Sequence, residues 1–257
     1  MHLKVFSYNI HKGLTFGNFK FILPQIQSLL HEIRPDFVCL QEVLGQDALH
    51  TKHFPKKSEL SQFQYLAGKL WPHFSYGKNV VSSKGHHGNA ILSKFPIRSF
   101  SNLDVSTNIF ETRSLLHTII EIPKTKITLH IICVHFGLSK NSRSIQTTRL
   151  IQQINSNVPA HDTLIVAGDF NDWRETLTSR LYSEVNLNEV FTKLNKKHAK
   201  TFPVWLPLFS LDRIYYRGLT ATSATCLSGK PWNQLSDHAA LVSDFEITET
   251  TDQEGSK

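Results

Sequence analysis

A chain of 257 residues with 40% hydrophobic residues is long enough to bury a core of two or more layers and has an ordinary globular composition. No apolar run reaches the roughly 18 residues of a membrane span, and three widely spaced cysteines exclude a disulfide-stapled scaffold. The formal charge of +7 favours an anionic partner such as nucleic acid, a phospholipid head group or a phosphorylated small molecule, without choosing among them.

From the amino terminus, residues 3–8 read as a strand. Residues 19–33 carry apolar side chains at helical spacing until Arg34-Pro35 ends the run, and 36–40 read as a second strand. A second helix is expected over 59–71. Strand signals then dominate, at 74–80, 89–92, 97–103, 115–122 and 127–134. A helix over 141–155 leads into an apolar strand at 163–167, followed by short helical and irregular pieces and strands at 211–216, 220–225 and 239–247. Two tracts of strand, helix and strand joined by helix-free segments predict an α/β fold with two sheets face to face and helices outside, a four-layer α/β/β/α sandwich. No linker composition divides the chain, so one domain is expected over 1–248 with a disordered polar tail at 249–257. The start of the chain enters a strand with no signal-peptide apolar region, which predicts a cytoplasmic protein, taken as a monomer. Cys39 and Cys133 lie inside apolar runs and read as small buried hydrophobes.

Chemistry concentrates where apolar strands end. In Thr163-Leu-Ile-Val-Ala-Gly-Asp-Phe-Asn-Asp172 a fully buried strand stops at Gly168, and Asp169 and Asn171 follow at a spacing of two. Asn9, Glu42, Asp237 and His238 likewise lie just past strand-like runs. Taken singly, each such residue is as readily a helix cap or a turn former. If the strands are neighbours, all six converge on one sheet edge, an inventory whose carboxylate and amide oxygens suit a hard divalent cation. Glu42 is the leading direct ligand, with Asn9 and Asp237 beside it. His135, also at a strand end, is assigned to phosphate chemistry, whereas His130, within the strand, is read as a packed or surface histidine. Arg113 has a guanidinium suited to phosphate oxygens, with an ordinary surface charge as the equal alternative. Asn89 is a weaker substrate-binding candidate, and the adjacent His86-His87 pair reads as loop. Asp212, an acid in an apolar strand, needs a partner, and a histidine is the natural one. Residues 205–209, Trp-Leu-Pro-Leu-Phe, read as a core-plugging loop or as an exposed wedge against a base or a lipid.

In this order the motifs Tyr8-Asn-Ile-His-Lys-Gly13, Leu40-Gln-Glu-Val43, Gly168-Asp-Phe-Asn-Asp-Trp-Arg174 and Leu235-Ser-Asp-His238 resemble the endonuclease/exonuclease/phosphatase superfamily. That superfamily embraces DNase I-like nucleases, abasic-site endonucleases, inositol polyphosphate phosphatases and neutral sphingomyelinases. At closer range Gly88-Asn-Ala-Ile-Leu-Ser-Lys-Phe-Pro96, Thr201-Phe-Pro203 and Leu211-Asp-Arg-Ile214 are similar to its bacterial YbhP-like members. The resemblance implies the four-layered DNase I-like fold and phosphoester hydrolysis dependent on Mg²⁺ or Mn²⁺. It places Glu42 on the metal with Asn9 beside it, and Asp169, held by Asn171, on the attacking water. It has His238 stabilise the phosphorane with Asp212 fixing its ring. His135 and Arg113 would meet the scissile phosphate, and Asp237 remains as a second metal or organising carboxylate. Two departures stand out: His11 occupies a position where abasic-site endonucleases carry an acid or amide, and His135 one where they carry a tyrosine.

The leading expectation is therefore a nuclease-like phosphodiesterase, the alternative a phospholipid or inositol-phosphate phosphodiesterase or phosphatase. A calcineurin-type metallophosphatase is excluded by the lack of its further Asp-x-His and Gly-Asn-His ligands. A catalytically dead phosphate-binding module on the same fold requires the loss of a reactive residue, and Glu42, His135, Asp169, Asn171 and His238 are all present.

Overall fold

The computed structural model describes residues 1–15, 20–45, 60–82, 85–109, 111–123, 125 and 127–247, so the expected tail at 249–257 lies outside the described residues. Among the described residues twelve strands and five α-helices follow one another as β1 (His2–Asn9), α1 (Leu23–Ile33), β2 (Phe37–Leu44), α2 (Gln62–Ala67), β3 (His73–Ser82), β4 (Gly85–Ser93), β5 (Ile97–Asp104), β6 (Ser114–Glu121), β7 (Thr128–His135), α3 (Lys140–Asn157), β8 (Thr163–Asp169), α4 (Leu177–Val185), β9 (Asn188–Glu189), α5 (Val190–Asn195), β10 (Asp212–Arg217), β11 (Thr220–Leu227) and β12 (Ala240–Glu246). They build two six-stranded sheets, ordered β11-β12-β1-β2-β4-β3 and β5-β6-β7-β8-β10-β9. Each sheet contains one parallel pair, β1 with β2 and β7 with β8, and is otherwise antiparallel. A parallel pair needs a crossover, and α1 and α3 supply the two.

Side-chain alternation along the strands makes the layers. Val5, Phe37 and Cys39 of the first sheet meet Ile131, Cys133 and Ile165 of the second in a central core. Their neighbours Phe6, Val38 and Leu40 point the other way, onto Ile26 and Leu30 of α1 and Leu66 of α2. On the far side Ile132, Leu164 and Val166 pack under Leu150 and Ile154 of α3 and Leu181 of α4. Strands buried on both faces read as unbroken apolar runs, which is why residues 37–40 and 163–167 show no polar alternation. The α/β/β/α sandwich expected from the sequence is the fold observed.

The helix ends follow local chemistry. Ser61 and Gln64 close a capping box that starts α2 at Gln62, and Gly68, at φ +50°, stops it short of the expected residue 71. The first helix begins at Leu23 rather than 19, with proline in its first turn, and ends at Arg34 in the left-handed conformation. Ser139 caps α3 by accepting from the Ser142 amide. Helices α4 and α5 are the short helical pieces expected after the strand at 163–167. The His86-His87 pair is strand, not loop: both lie in β4, and the His86 ring packs on Tyr76.

His130 is packed and not at the surface, in a chain of buried and half-buried polar groups beneath α3. Gln153 meets His117 Nδ1 at 3.1 Å, His117 Nε2 lies 2.8 Å from His130 Nδ1, and His130 Nε2 lies 3.0 Å from Asp162. Burial, reinforced by His130, pushes the His117 pKa down to about 4, and burial lowers that of His130 despite Asp162. The unfolded chain thus binds protons that the folded chain refuses. Stability is expected to fall as pH drops from 6.5 toward about 4, and urea unfolding of His117→Gln is expected to show a shallower loss over that window. An unchanged pH dependence in the variant would remove His117 from the linkage.

Candidate active site

The carboxyl ends of β1, β2, β7 and β8 and the amino ends of β10 and β12 open at one edge of the sandwich, and the sequence-predicted polar residues gather there. Gly168 lets this edge close. Its φ is +144°, and a Cβ there would overlap the carbonyl oxygen of Val134 on β7. The chain can then turn so that Asp169 and His135 stand side by side in register.

Asp169 is the hub. Its Oδ1 accepts from the Asn171 amide at 2.9 Å and its Oδ2 from Asn9 Nδ2 at 3.2 Å, a bond that joins the two sheets. The Nε2 atoms of His135 and His238 lie 3.5 and 3.8 Å from the same Oδ2. Asn171, at φ +48°, takes a left-handed conformation that asparagine tolerates, and its Nδ2 binds the Phe136 carbonyl at 2.9 Å. His238 Nδ1 sits 2.8 Å from Asp212 Oδ2, so Asp212 has the histidine partner that its burial requires.

Glu42 reaches the same edge through a backbone irregularity. The β2–β4 register shifts between Leu40 and Val43, leaving Gln41 and Glu42 opposite Asn89, and Glu42 is forced to φ +56°. Such bulges re-aim a side chain. The Glu42 carboxylate takes one long hydrogen bond among the described residues, 3.4 Å from Asn9 Nδ2. Asn9 Oδ1 faces the other way, accepting from the His11 amide. Asp237 faces His11 Nδ1 at 3.4 Å, and its Oδ1 lies 3.2 Å from Ser236 Oγ.

The charges divide sharply. Burial raises the Asp169 pKa to about 6, against the lowering pull of His238. Burial also opposes charge on His238, but Asp212 and Asp169 outweigh it and lift the pKa to about 10. Burial, with Arg113 and His238 nearby, drives His135 well below 6.5. Near neutrality the edge therefore holds a carboxylate, an imidazolium and a neutral imidazole within one cluster.

Two of the residues expected to contact substrate already hold hydrogen bonds within the protein. Arg113 spends its donors on the Phe136 carbonyl, the Thr112 carbonyl and Glu111, a carboxylate that also accepts from the Leu138 amide. Asn89 is fully buried and ties β4 to the second sheet through the carbonyls of Ser114 and Cys133. Residues 205–209 do not plug the core; they stand exposed. Sequence reading also assigned no role to several supports. Thr201 Oγ1 accepts from the Leu211 and Asp212 amides, Phe202 lies against the His238 ring at 4.9 Å, and Ser236 Oγ donates to the Asn9 carbonyl. Asp172 closes the start of α4 and pairs with buried Arg213 at 3.3 Å. Each lies in a motif quoted from the sequence (Thr201–Pro203, Leu235–His238, Gly168–Arg174 and Leu211–Ile214) and came without a role of its own.

Asp169, Asp212 and His238 offer ligand atoms within 4.8 Å of one another, a grouping able to hold a metal ion. The sandwich and its polar edge define a hydrolase-like α/β/β/α protein. The sequence profile of the Endonuclease/Exonuclease/phosphatase family matches residues 6–238, and the chain belongs to that family, whose members hydrolyse phosphoesters. It is 41% identical over 244 residues to the protein YbhP of Escherichia coli (strain K12), covering 95% of this chain and 96% of that one. The human Nocturnin catalytic domain with bound sulfate anion superposes with a TM-score of 0.74 at 24% identity, covering 96% and 95% of the two chains. D. rerio TDP2 complexed with single strand DNA product gives a TM-score of 0.69 at 19% identity, covering 96% and 99%. No helix among the described residues is long and apolar enough to cross a membrane.

In NMR titration the His238 ring is expected to stay an imidazolium through neutral pH and to lose its proton near 10. Asp212→Asn should bring that titration down toward the ordinary value. A wild-type ring that titrates near 6.5 would contradict the arrangement.

Proposed function

We propose that the protein hydrolyses a phosphodiester with the help of Mg²⁺ or Mn²⁺, and that Asp169 takes the proton of the attacking water. The observation that carries this reading is one buried carboxylate faced at its Oδ2 by a neutral histidine and a cationic one, His135 at 3.5 Å and His238 at 3.8 Å. Titratable groups whose environments push their charge states apart are suited to opposite proton-transfer roles.

Glu42 is the proposed metal ligand, with Asn9 and Asp237 beside it. The support is a set of hard oxygen donors, the bulge that aims Glu42 into the edge, and a carboxylate left only weakly engaged. The Asp169–Asp212–His238 cluster suits a cation less well. His238 Nδ1 is committed to Asp212, and a ring with a pKa near 10 would have to give up a strongly held proton to ligate. A divalent cation at Glu42 would polarise a phosphoryl oxygen and offset the charge of the transition state.

The chain's own groups do the rest. Asp169, fixed by Asn171 and Asn9, is ionised at neutral pH and accepts a proton from water. His238, oriented by Asp212, presents Nε2–H to an oxygen of the phosphorane. His135 remains neutral and hydrogen-bonds the phosphate or the leaving oxygen. Arg113 is proposed as a positioning residue, since it and Asn171 share the Phe136 carbonyl. Asn89 holds the floor beneath Glu42.

A nuclease-like substrate leads, supported by the +7 charge and by neighbours holding a single-strand DNA product and a sulfate, an isostere of phosphate. The exposed apolar residues 205–209 favour the second reading, a phospholipid or inositol phosphate. Plasmid, abasic-site DNA, RNA, bis-p-nitrophenyl phosphate, inositol phosphates and phospholipids are the panel that separates them. Cleavage is expected to require Mg²⁺ or Mn²⁺, to stop with chelator, and to fall by about 10²–10⁴-fold in Asp169→Asn and in His238→Ala. The rate should rise with pH through about 6 as Asp169 ionises, and decline through about 10 as His238 loses its proton. Full activity in Asp169→Asn would end the mechanism.

A further inference from the structure

Residues 205–209 expose apolar surface that the catalytic reading does not use. Trp205 is 53% exposed, Leu206 59%, Leu208 54% and Phe209 37%. Contiguous apolar exposure of this kind marks a contact surface. The segment is braced rather than loose. Phe202 and Phe209 exchange backbone hydrogen bonds at 3.1 and 2.8 Å, the Leu206 amide binds the Pro203 carbonyl, and the Trp173 ring packs on both phenylalanines. A preformed apolar prong of this sort binds without an ordering cost.

Its base adjoins the candidate active site. The Val204 amide binds the Asp237 carbonyl at 2.7 Å, and Phe202 lies on the His238 ring. On its flank, Lys200 Nζ and Ser210 Oγ share Glu175 Oε1 at 2.9 and 2.8 Å. Lys200 is also part of the wall of an open groove of about 650 Å³ that is lined by Lys196 and Lys197 as well. Glu175 is the one acid lining this groove and is paired with Lys200, while no carboxylate lies within ion-pair distance of Lys196 or Lys197 among the described residues. An apolar prong thus stands beside a cationic groove.

We infer that the protein docks on an anionic phospholipid bilayer, with residues 205–209 entering the interface and Lys196 and Lys197 meeting the head groups, so that the candidate active site is brought to the membrane surface. The composition decides against single-stranded nucleic acid as the occupant. Bases stack on aromatic faces, which Leu206 and Leu208 lack, whereas leucine, tryptophan and phenylalanine together suit the boundary between head groups and acyl chains. Basic side chains adjoining such a surface add affinity for anionic lipid.

Binding is measured without turnover, so its outcome is independent of the hydrolysis assay. The full chain in excess chelator is sedimented with vesicles of phosphatidylcholine alone and of phosphatidylcholine mixed with phosphatidylglycerol. Binding to the anionic vesicles is expected to weaken with salt. It should also weaken at least about tenfold in Leu206→Glu/Leu208→Glu and in Lys196→Glu/Lys197→Glu. Unchanged thermal melting would confirm that these exposed substitutions leave the fold intact. Tryptophan emission should shift to the blue on anionic vesicles, and Trp205→Phe should lose most of that shift. The inference is overturned if the wild type ignores anionic vesicles, if both double variants bind like the wild type, or if the prong variant loses affinity for single-stranded DNA instead.

Discussion

The arrangement at the polar edge depends on the Asp169 carboxylate as a shared acceptor between two sheets. Asn9, from the first sheet, donates to it, and His135 on β7 and His238 just before β12 face it from the second and first sheets. A second crossing runs parallel, from His238 beside β12 to Asp212 on β10. Buried polar groups left unpaired are costly, so each side chain holds the next in place. The apolar central core brings the sheets together without direction; these bonds fix how their ends meet.

The same closeness divides the charge. Burial alone would make Asp169 and both histidines neutral. Asp212 reverses that for His238, whose charge then helps keep Asp169 ionised, while burial, reinforced by the repulsion of Arg113 and His238, keeps His135 uncharged. Three groups within a few ångströms thus take three protonation roles because their partners differ. Arg113 contributes although its guanidinium is committed to Phe136, Thr112 and Glu111, since its field reaches His135.

Beside this rigid centre the prong at 205–209 and the lysine groove are supported on different terms. In the prong the Leu206, Leu208 and Phe209 amides are paired and Phe209 packs on Trp173, yet Trp205, Leu206 and Leu208 are more than half exposed. The support that holds Phe202 against His238 also holds the prong upright, so surface and centre share one set of braces.

Much of this was legible along the chain. Strands buried on both faces announce themselves as unbroken apolar runs, and a glycine followed by acid and amide marks where such a run must stop, so the sandwich and the placing of Asn9, Asp169, Asn171 and His238 at strand ends followed from local pattern. Glu42, expected just past a strand ending at residue 40, instead lies inside β2, which runs on to Leu44. The demand that a buried acid find a partner similarly tied Asp212 to a histidine. Tertiary structure alone decided the rest. The bulge that aims Glu42, the diversion of Arg113 and Asn89 into bonds with the backbone, and the exposure of residues 205–209 all depend on neighbours distant in sequence. Local pattern states what a side chain is and which way its strand alternates, whereas its hydrogen-bond partner and its share of solvent are settled only when the two sheets close on each other.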